Sequence, residues 1–307
     1  MSNLINVTII IGTVFALWGG AVWVVESASR IAKKFGLSQL VIGLTVVAIG
    51  TSAPEFAVSI SAALAGKLSI SVGNVVGSNI FNLGIILGLV AIMSSVKTNK
   101  TLVSRDGTLL IIAGILLVIF FYDLELSIFE GILLVLTLSI YMFVLFRSKS
   151  PIEEEIPEGE FTWKDIPMII IGIALIIAGA HFLVESSSEI ARSYGISEWM
   201  IGITIVAAGT SIPEFATSVV AITKGKHGIS IGNLIGSDLF NLLGVLGVAS
   251  IIRPLAISQS DYYSIIILSV YLIFLLAMMR FRWQIGKVEG TILILIAIFR
   301  WWIVTVI

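Results

Sequence analysis

Two segments of this 307-residue sequence are near copies of each other. VIGLTVVAIGTSAPEFAVS begins at Val41, and MIGITIVAAGTSIPEFATS begins at Met200, 159 residues later. ISVGNVVGSNIFN at Ile70 returns with the same displacement as ISIGNLIGSDLFN at Ile229. A third pair upstream, VESASRIAKKFGLS and VESSSEIARSYGIS, also keeps this displacement. A constant displacement across three blocks indicates that one structural unit was duplicated without net insertion.

Both copies are too apolar for a water-soluble domain. Hydrophobic residues make up 58% of the chain and charged residues 12%, with a mean hydropathy of +1.10. A hydrocarbon core about 30 Å thick needs roughly 20 apolar residues of helix. We therefore predict an all-α integral membrane protein with ten transmembrane helices. The predicted helices are Leu4–Val25, Leu40–Ala65, Ile70–Met93, Thr108–Tyr122, Leu126–Phe146, Ile166–Val184, Met200–Thr223, Ile229–Ile252, Tyr262–Met279 and Val288–Ile307.

Each copy contains five of these helices. Residues 1–146 form the first repeat, with its duplicated block at about 40–93, and residues 166–307 form the second, with its block at about 199–252. The Pro- and Glu-rich segment 147–165 joins them as a solvated linker. An odd number of spans makes the second copy enter the membrane from the opposite side, so the two repeats are predicted to be inverted. Inverted repeats are typical of secondary transporters, whose site is built from broken helices near the bilayer midplane.

The distribution of basic residues predicts the orientation, because cytoplasmic loops are enriched in Lys and Arg. One set of alternate loops, which includes the linker, contains 14 of the 18 basic residues. We therefore expect the linker to be cytoplasmic and both termini to be extracellular, in a multi-pass protein of the plasma membrane. A net charge of −1 without a basic stripe argues against nucleic-acid binding, and the absence of cysteine excludes disulfides and thiolate metal sites.

Glu55 and Glu214 lie at matching places well inside their predicted helices. An ionisable residue at that depth costs at least about 2.5 kcal/mol and is a candidate functional residue. Pro54 and Pro213 precede the two glutamates and break the helical hydrogen bonding, which frees carbonyl oxygens. Carboxylates, carbonyls and hydroxyls are the oxygen ligands that Ca²⁺ prefers, and Na⁺ would use the same donors.

Polar residues also recur at helical spacing on the following helix of each copy. They can complete an oxygen cage, or they can form hydrogen bonds between helices. These residues are Asn74, Ser78 and Asn82 in the first copy and Asn233, Ser237 and Asn241 in the second.

At these residues the sequence resembles the cation/calcium exchanger superfamily, whose two α-repeats carry G-T-S-x-P-E in one helix and G-N-x-x-G-S-N-x-x-N/D in the next. The matching segments are Gly50–Glu55 with Gly73–Asn82, and Gly209–Glu214 with Gly232–Asn241. The sequence is most similar to the sodium/calcium exchanger branch, because the proton/calcium branch usually carries G-N-x-x-E instead.

The resemblance implies transport of Ca²⁺ and Na⁺ without a cofactor, by sliding of the first and sixth helices past a fixed core. It implies that Ca²⁺ is bound by Glu55, Glu214 and the carbonyls of Thr51 and Thr210. It also implies Na⁺ sites at the following residues: Ala48, Ser52, Glu55, Ser78, Asn82, Ala207, Ser211, Glu214, Ser237 and Asn241. Asn at both 82 and 241 argues against potassium coupling, and Asp238, which replaces Asn79 of the first copy, is expected to lie behind the ligands.

Three classes of function fit an intramembrane pair of carboxylates. The first is a Na⁺/Ca²⁺ antiporter that extrudes Ca²⁺, with proton coupling as its alternative, because buried carboxyls can also carry protons. The second is a passive cation channel with an acidic selectivity ring. The third, an intramembrane metal hydrolase, would need a histidine or another base near the metal, and none lies near either glutamate in the sequence. We therefore predict a transporter and not an enzyme. One chain contains both repeats, so a monomer suffices in the lipid bilayer and the oligomeric state stays open.

Overall fold

The computed structural model describes residues 3–147, 160–196, 201, 205 and 207–306, except the side chains of Ala207 and of residues 301–306. This part of the chain is almost entirely helical. Seven of its helices are long and apolar enough to cross a membrane, and an eighth span results if one bent pair is counted together. The main helices are α1 (Asn3–Phe35), α2 (Gln39–Thr51), α3 (Ala53–Leu64), α4 (Leu68–Met93), α5 (Leu102–Asp123), α6 (Ile128–Arg147), α7 (Asp165–Ser193), α8 (Ile212–Thr223), α9 (His227–Ile252), α10 (Gln259–Arg282) and α11 (Lys287–Val306).

The predicted span that contains Glu55 is broken in the structure. Helices α2 and α3 meet at Ser52 with a bend of 48°. Pro54 is the second residue of α3, where its missing N–H costs no hydrogen bond because the first turn of a helix has free N–H groups in any case. In the second copy Pro213 likewise stands in the first turn of α8 and Ser211 is the N-cap, while residues 202–204 and 206 lie outside the described part.

Contacts divide the chain into two compact units, and each unit combines residues from both halves of the sequence. Unit 1 comprises Met1–Pro54 and Lys149–Asn233, and unit 2 comprises Glu55–Ser148 and Leu234–Ile307.

Unit 1 is built on the antiparallel pair α1 and α7. The helices touch through glycines, because a Cβ on Gly20 would lie 2.7 Å from the carbonyl oxygen of Gly172. Polar contacts join both ends of the pair: Asn6 Nδ2 donates to Glu189 Oε2 at 3.0 Å, and Arg30 Nε donates to Asp165 Oδ1 at 2.7 Å. The paired charge explains why α1 runs ten residues beyond the apolar segment predicted from the sequence, as far as Phe35.

Unit 2 contains nearly all of α3, the helices α4–α6, α10 and α11, and α9 from Leu234 onwards. They pack as the pairs α4 with α11, α5 with α10 and α6 with α9. Two short antiparallel ribbons join the loops between these helices. Strands β1 (Val96–Lys97) and β4 (Gln284–Ile285) pair with Val96 opposite Ile285, and strands β2 (Glu125–Leu126) and β3 (Leu255–Ala256) pair with Leu126 opposite Leu255. The two ribbons are related by the 159-residue displacement of the sequence repeat, so the duplication extends to the loops.

Candidate ion-binding site

The break between α2 and α3 brings a hydroxyl to the glutamate of the second copy. Glu214 is fully buried in the first turn of α8, and Ser52 Oγ donates to its Oε1 at 2.9 Å. Ser52 occupies the turn at which α2 ends, so its side chain is available to bond outside its own helix. A serine and a glutamate that lie 162 residues apart thus form part of one buried polar cluster within unit 1.

Asn233 holds the first turn of α8 in place. Its Nδ2 donates to the carbonyl oxygen of Glu214 at 3.3 Å and to Ser218 Oγ at 3.0 Å. Its Oδ1 accepts a hydrogen bond from Thr51 Oγ1 at 3.0 Å. The amide therefore links α2, α8 and the N-terminal part of α9, and it uses both of its ends for hydrogen bonds between helices.

Unit 2 repeats this arrangement around the other glutamate. Glu55 is fully buried in the first turn of α3. Asn74 Nδ2 donates to its carbonyl oxygen at 3.3 Å and to Ser59 Oγ at 2.9 Å. These bonds match those of Asn233 at a displacement of 159 residues, so the sequence repeat encodes a repeated hydrogen-bond pattern.

A second polar cluster in unit 2 joins α4 and α9. Asn82 Nδ2 donates to Asp238 Oδ1 at 3.0 Å, and Asn241 Nδ2 donates to Asn79 Oδ1 at 3.2 Å. All four side chains are buried. Within the described part of the chain, Oδ1 of Asn82 and Oδ1 of Asn241 accept no hydrogen bond. Each of these two buried amides thus presents a carbonyl oxygen that a cation could use.

Local helix geometry also distinguishes these two asparagines. Asn82 lies in a π-helical segment, Phe81–Ile86, and Asn241 lies in its counterpart, Phe240–Val245. Such wide turns interrupt the regular hydrogen bonding of an α-helix and occur often at functional sites.

In the described part of the chain, the side chains seen to bond to the two glutamates are a serine hydroxyl and asparagine amides. Such oxygen-bearing groups suit a hard cation such as Ca²⁺ or Na⁺ better than a soft metal. Most of the other residues expected from the sequence are also buried, whereas Thr210 is partly exposed and the side chain of Ala207 lies outside the described part. The buried ones are Ala48, Thr51, Ser52, Ser78, Ser211 and Ser237.

Ser59 and Ser218 accept hydrogen bonds from Asn74 and Asn233, and neither serine was predicted from the sequence to belong to the site. A signal for them exists, because each serine follows its glutamate by four residues and so lies on the same helix face. For Asn74 and Asn233 the sequence left two roles open, ion ligand or hydrogen bonding between helices. In the structure Nδ2 of each makes hydrogen bonds between helices, and Oδ1 of Asn233 also accepts one.

Comparisons with known proteins agree with this architecture. A sequence model of the family described as sodium/calcium exchanger protein matches residues 5–147 and again residues 164–306. The sodium/calcium exchanger MaX1 of Methanosarcina acetivorans is 34% identical over 94% of this chain and 94% of its own length. The putative antiporter CaxA of Alkalimonas amylolytica is 34% identical over 94% of this chain and 95% of its own length.

A comparison of the fold with solved structures also identifies a sodium-calcium exchanger. The structure of the sodium-calcium exchanger NCX_Mj soaked with zero Na⁺ and Ca²⁺ matches with a TM-score of 0.85 and 29% identity, over 96% of this chain and 97% of that one. The family match covers both sequence repeats and nearly the whole chain. This multi-pass membrane protein therefore belongs to the sodium/calcium exchanger family, as a prokaryotic member of the cation/calcium exchangers.

Proposed function

We propose that this protein is a secondary antiporter that exchanges Na⁺ for Ca²⁺ by alternating access and extrudes Ca²⁺ from the cell. The observation that carries the proposal is the duplicated, fully buried glutamate, held in each unit by the same asparagine and serine contacts. Buried carboxylates in a membrane need a partner charge. In a family of cation/Ca²⁺ antiporters, the transported cations are that partner.

We assign Ca²⁺ to Glu55 and Glu214 with the carbonyl oxygens of Thr51 and Thr210. Two carboxylates balance the charge of one Ca²⁺, and further oxygens complete the six to eight ligands that the ion prefers. The Na⁺ sites are assigned to the two glutamates together with the small and polar residues around them. These are Ala48, Ser52, Ser78, Asn82, Ala207, Ser211, Ser237 and Asn241.

Asn82 and Asn241 are proposed as ion ligands through Oδ1. The contact between Asn82 Nδ2 and Asp238 Oδ1 supports a positioning role for Asp238, because a fixed donor end turns the opposite end of the amide toward an ion. Asn79 serves Asn241 in the same way. Asp238 thus lies behind the ligands in this proposal, and the site carries the two formal charges of the glutamates.

Charge then explains why transport is coupled. Enclosing two uncompensated carboxylates inside the membrane costs much free energy, so the empty site cannot readily change its access from one side to the other. The same site loaded with Ca²⁺ or with Na⁺ is close to neutral and can do so. Ten helices in two inverted five-helix repeats, 1–146 and 166–307, would suit alternating access, and we retain this arrangement as part of the proposal. We further propose that α1 and α7 move as one body, because their glycine contact and the polar contacts at both ends join them along their length.

The same proposal places the protein in the plasma membrane with both termini outside and the linker in the cytoplasm. The bias of basic residues supports this orientation. Cysteine labelling tests it, because the chain has no native cysteine. A single cysteine introduced in the linker should react with a membrane-impermeant maleimide only after the cells are opened.

Transport is tested with purified protein in liposomes. We expect ⁴⁵Ca²⁺ uptake when the vesicles contain Na⁺, and none when they contain K⁺ or carry only a pH gradient. Uptake driven by the pH gradient would replace sodium coupling with proton coupling, and uptake without any gradient would indicate a channel.

Substitution of the glutamates tests the site itself. Glu55→Gln and Glu214→Gln should each abolish exchange while the protein remains folded, because removal of a buried charge also removes its desolvation cost. Glu125→Gln is the matched control, since this glutamate is exposed in the β2 ribbon. Exchange at the normal rate in either buried variant would exclude the proposed site.

A further inference from the structure

Arg300 is a charged residue within a membrane helix and away from the candidate ion site. It follows the start of α11 by 13 residues and precedes the end by six, which places its Cα about 9 Å from the C-terminal end of the helix. Its Nε is buried and has no hydrogen-bond partner in the described part of the chain. No ion pair joins it to an acidic side chain among these residues either, and residues 301–307 carry none in their sequence. Charged side chains within a membrane are almost always paired, and the described residues provide no acidic partner for this arginine.

Arg300 lines an apolar cleft in unit 2. The cleft has a volume of about 250 Å³ and lies among α4, α10 and α11. Its α10 wall consists partly of exposed apolar side chains, Ile267, Val270 and Phe274, which would contact lipid in a membrane. The other polar group in the lining, the Tyr271 hydroxyl, donates to the carbonyl oxygen of Leu83 at 3.1 Å. Arg300 is thus the charged residue of a lining whose accessible surface is almost entirely apolar, and its side chain is only partly buried.

In the first sequence copy, the position that corresponds to Arg300 has a partner within the chain. Tyr141 precedes Arg300 by the repeat displacement of 159 residues, and it is buried in α6. Its hydroxyl donates to Asp106 Oδ1 at 2.9 Å, and Arg105 also pairs with Asp106. In the second copy the residue that corresponds to Asp106 is Ile265, which is fully buried and apolar. The first copy thus supplies a carboxylate from its own chain, and the second copy does not.

We propose that this cleft is a binding site for an anionic phospholipid. One acyl chain lies along the apolar wall of α10, and the phosphate of the headgroup pairs with the Arg300 guanidinium. The cleft is smaller than the roughly 300–1,000 Å³ of ordinary ligand pockets, which suits part of one acyl chain better than a whole soluble ligand. Basic pockets between membrane helices at the cytoplasmic side bind anionic headgroups in this manner. With the C-terminus outside, as proposed above, Arg300 would bind a phospholipid of the outer leaflet in the same way. This proposal concerns a surface distinct from the ion ligands and does not depend on which ions are exchanged.

The test measures lipid binding to delipidated protein in detergent by native mass spectrometry. Phosphatidylglycerol should bind at least about tenfold more tightly than phosphatidylcholine to the wild-type protein, because the choline cation of phosphatidylcholine offsets the charge of its phosphate and competes with Arg300 for it. A tenfold ratio corresponds to about 1.4 kcal/mol. Arg300→Gln should remove this preference, and Arg300→Lys should retain most of it because the charge is kept. The matched control is Arg147→Gln, which removes an exposed arginine at the end of α6. It should leave the preference unchanged.

Two further measurements distinguish a bound phospholipid from a free anion. Val270→Trp fills the apolar wall while Arg300 stays in place, so it should weaken phosphatidylglycerol binding, and it provides the test if Arg300→Gln does not fold. Inorganic phosphate at the same concentration should not compete with the lipid. Equal preference for phosphatidylglycerol in wild type, Arg300→Gln and Val270→Trp would overturn the proposal. Full competition by phosphate would show a site for a free anion and would overturn it as well.

Discussion

The contact between α1 and α7 predicts opposite effects for alanine at two adjacent glycines. A Cβ at position 20 would lie 2.7 Å from the carbonyl oxygen of Gly172 and 3.0 Å from Ile176 Cγ1. A Cβ at position 19 would meet no other atom within 4 Å in the described part of the chain. Gly20→Ala should therefore push the two helices apart, whereas Gly19→Ala adds a methyl group in open space.

The comparison isolates the cost of the contact. Replacing glycine by alanine inside a helix contributes about 0.5–1 kcal/mol of stability at either position, because alanine loses less backbone entropy on folding. This contribution cancels between the two variants. What remains is the overpacking at Gly20, about 1–3 kcal/mol, because the atom that must move is a backbone oxygen and cannot rotate away. Each kcal/mol shifts the unfolding midpoint by about 2–4 °C in a domain of 150–250 residues.

We expect Gly20→Ala to melt several degrees below Gly19→Ala when both are unfolded by heat in detergent. Gly172→Ala should resemble Gly20→Ala, since its Cβ would lie 2.8 Å from the carbonyl oxygen of Gly20. Exchange in liposomes should fall in the same two variants if the helices move as one body. Equal midpoints for Gly19→Ala and Gly20→Ala would refute the close approach of α1 and α7.

Two further substitutions test the buried polar contacts. Ser52→Ala removes the hydrogen-bond donor to Glu214 and a proposed Na⁺ ligand. A hydrogen bond to a charged group contributes about 1.5–3 kcal/mol, so half-maximal exchange should need at least about tenfold more Na⁺. Ser61→Ala, on the exposed side of α3, is the control and should not change this Na⁺ dependence. Arg30→Gln leaves the buried Asp165 without its ion pair and should lower the free energy of unfolding by about 1–3 kcal/mol, less than for a fully buried pair because Arg30 is 19% exposed. Adding Asp165→Asn should restore part of that loss in a double-mutant cycle, and a simply additive result would contradict the pairing.

Much of the candidate site followed from the sequence, because the relevant signals are local. Glu55 and Glu214 stand out as charges within apolar segments, and their duplication marks them as a pair whatever the tertiary contacts are. Pro54 and Pro213 predict a broken helix from backbone chemistry alone, and the described residues show the break at Ser52 in the first copy. The two central asparagines were also expected as ligands, and each keeps a buried Oδ1 that accepts no hydrogen bond within the described part of the chain.

The sequence by itself thus determined the membrane class, the duplication and the oxygen chemistry of the site, because hydropathy, repeat spacing and residue type need no knowledge of distant contacts. Only the tertiary structure decided which atoms are already occupied. It assigned Asn74 and Asn233 to helix contacts, brought Asp238 against Asn82, and left Arg300 in an apolar cleft without an acidic partner among the described residues. These outcomes depend on contacts between residues from 19 to more than 150 positions apart in sequence, and helical periodicity cannot specify such contacts.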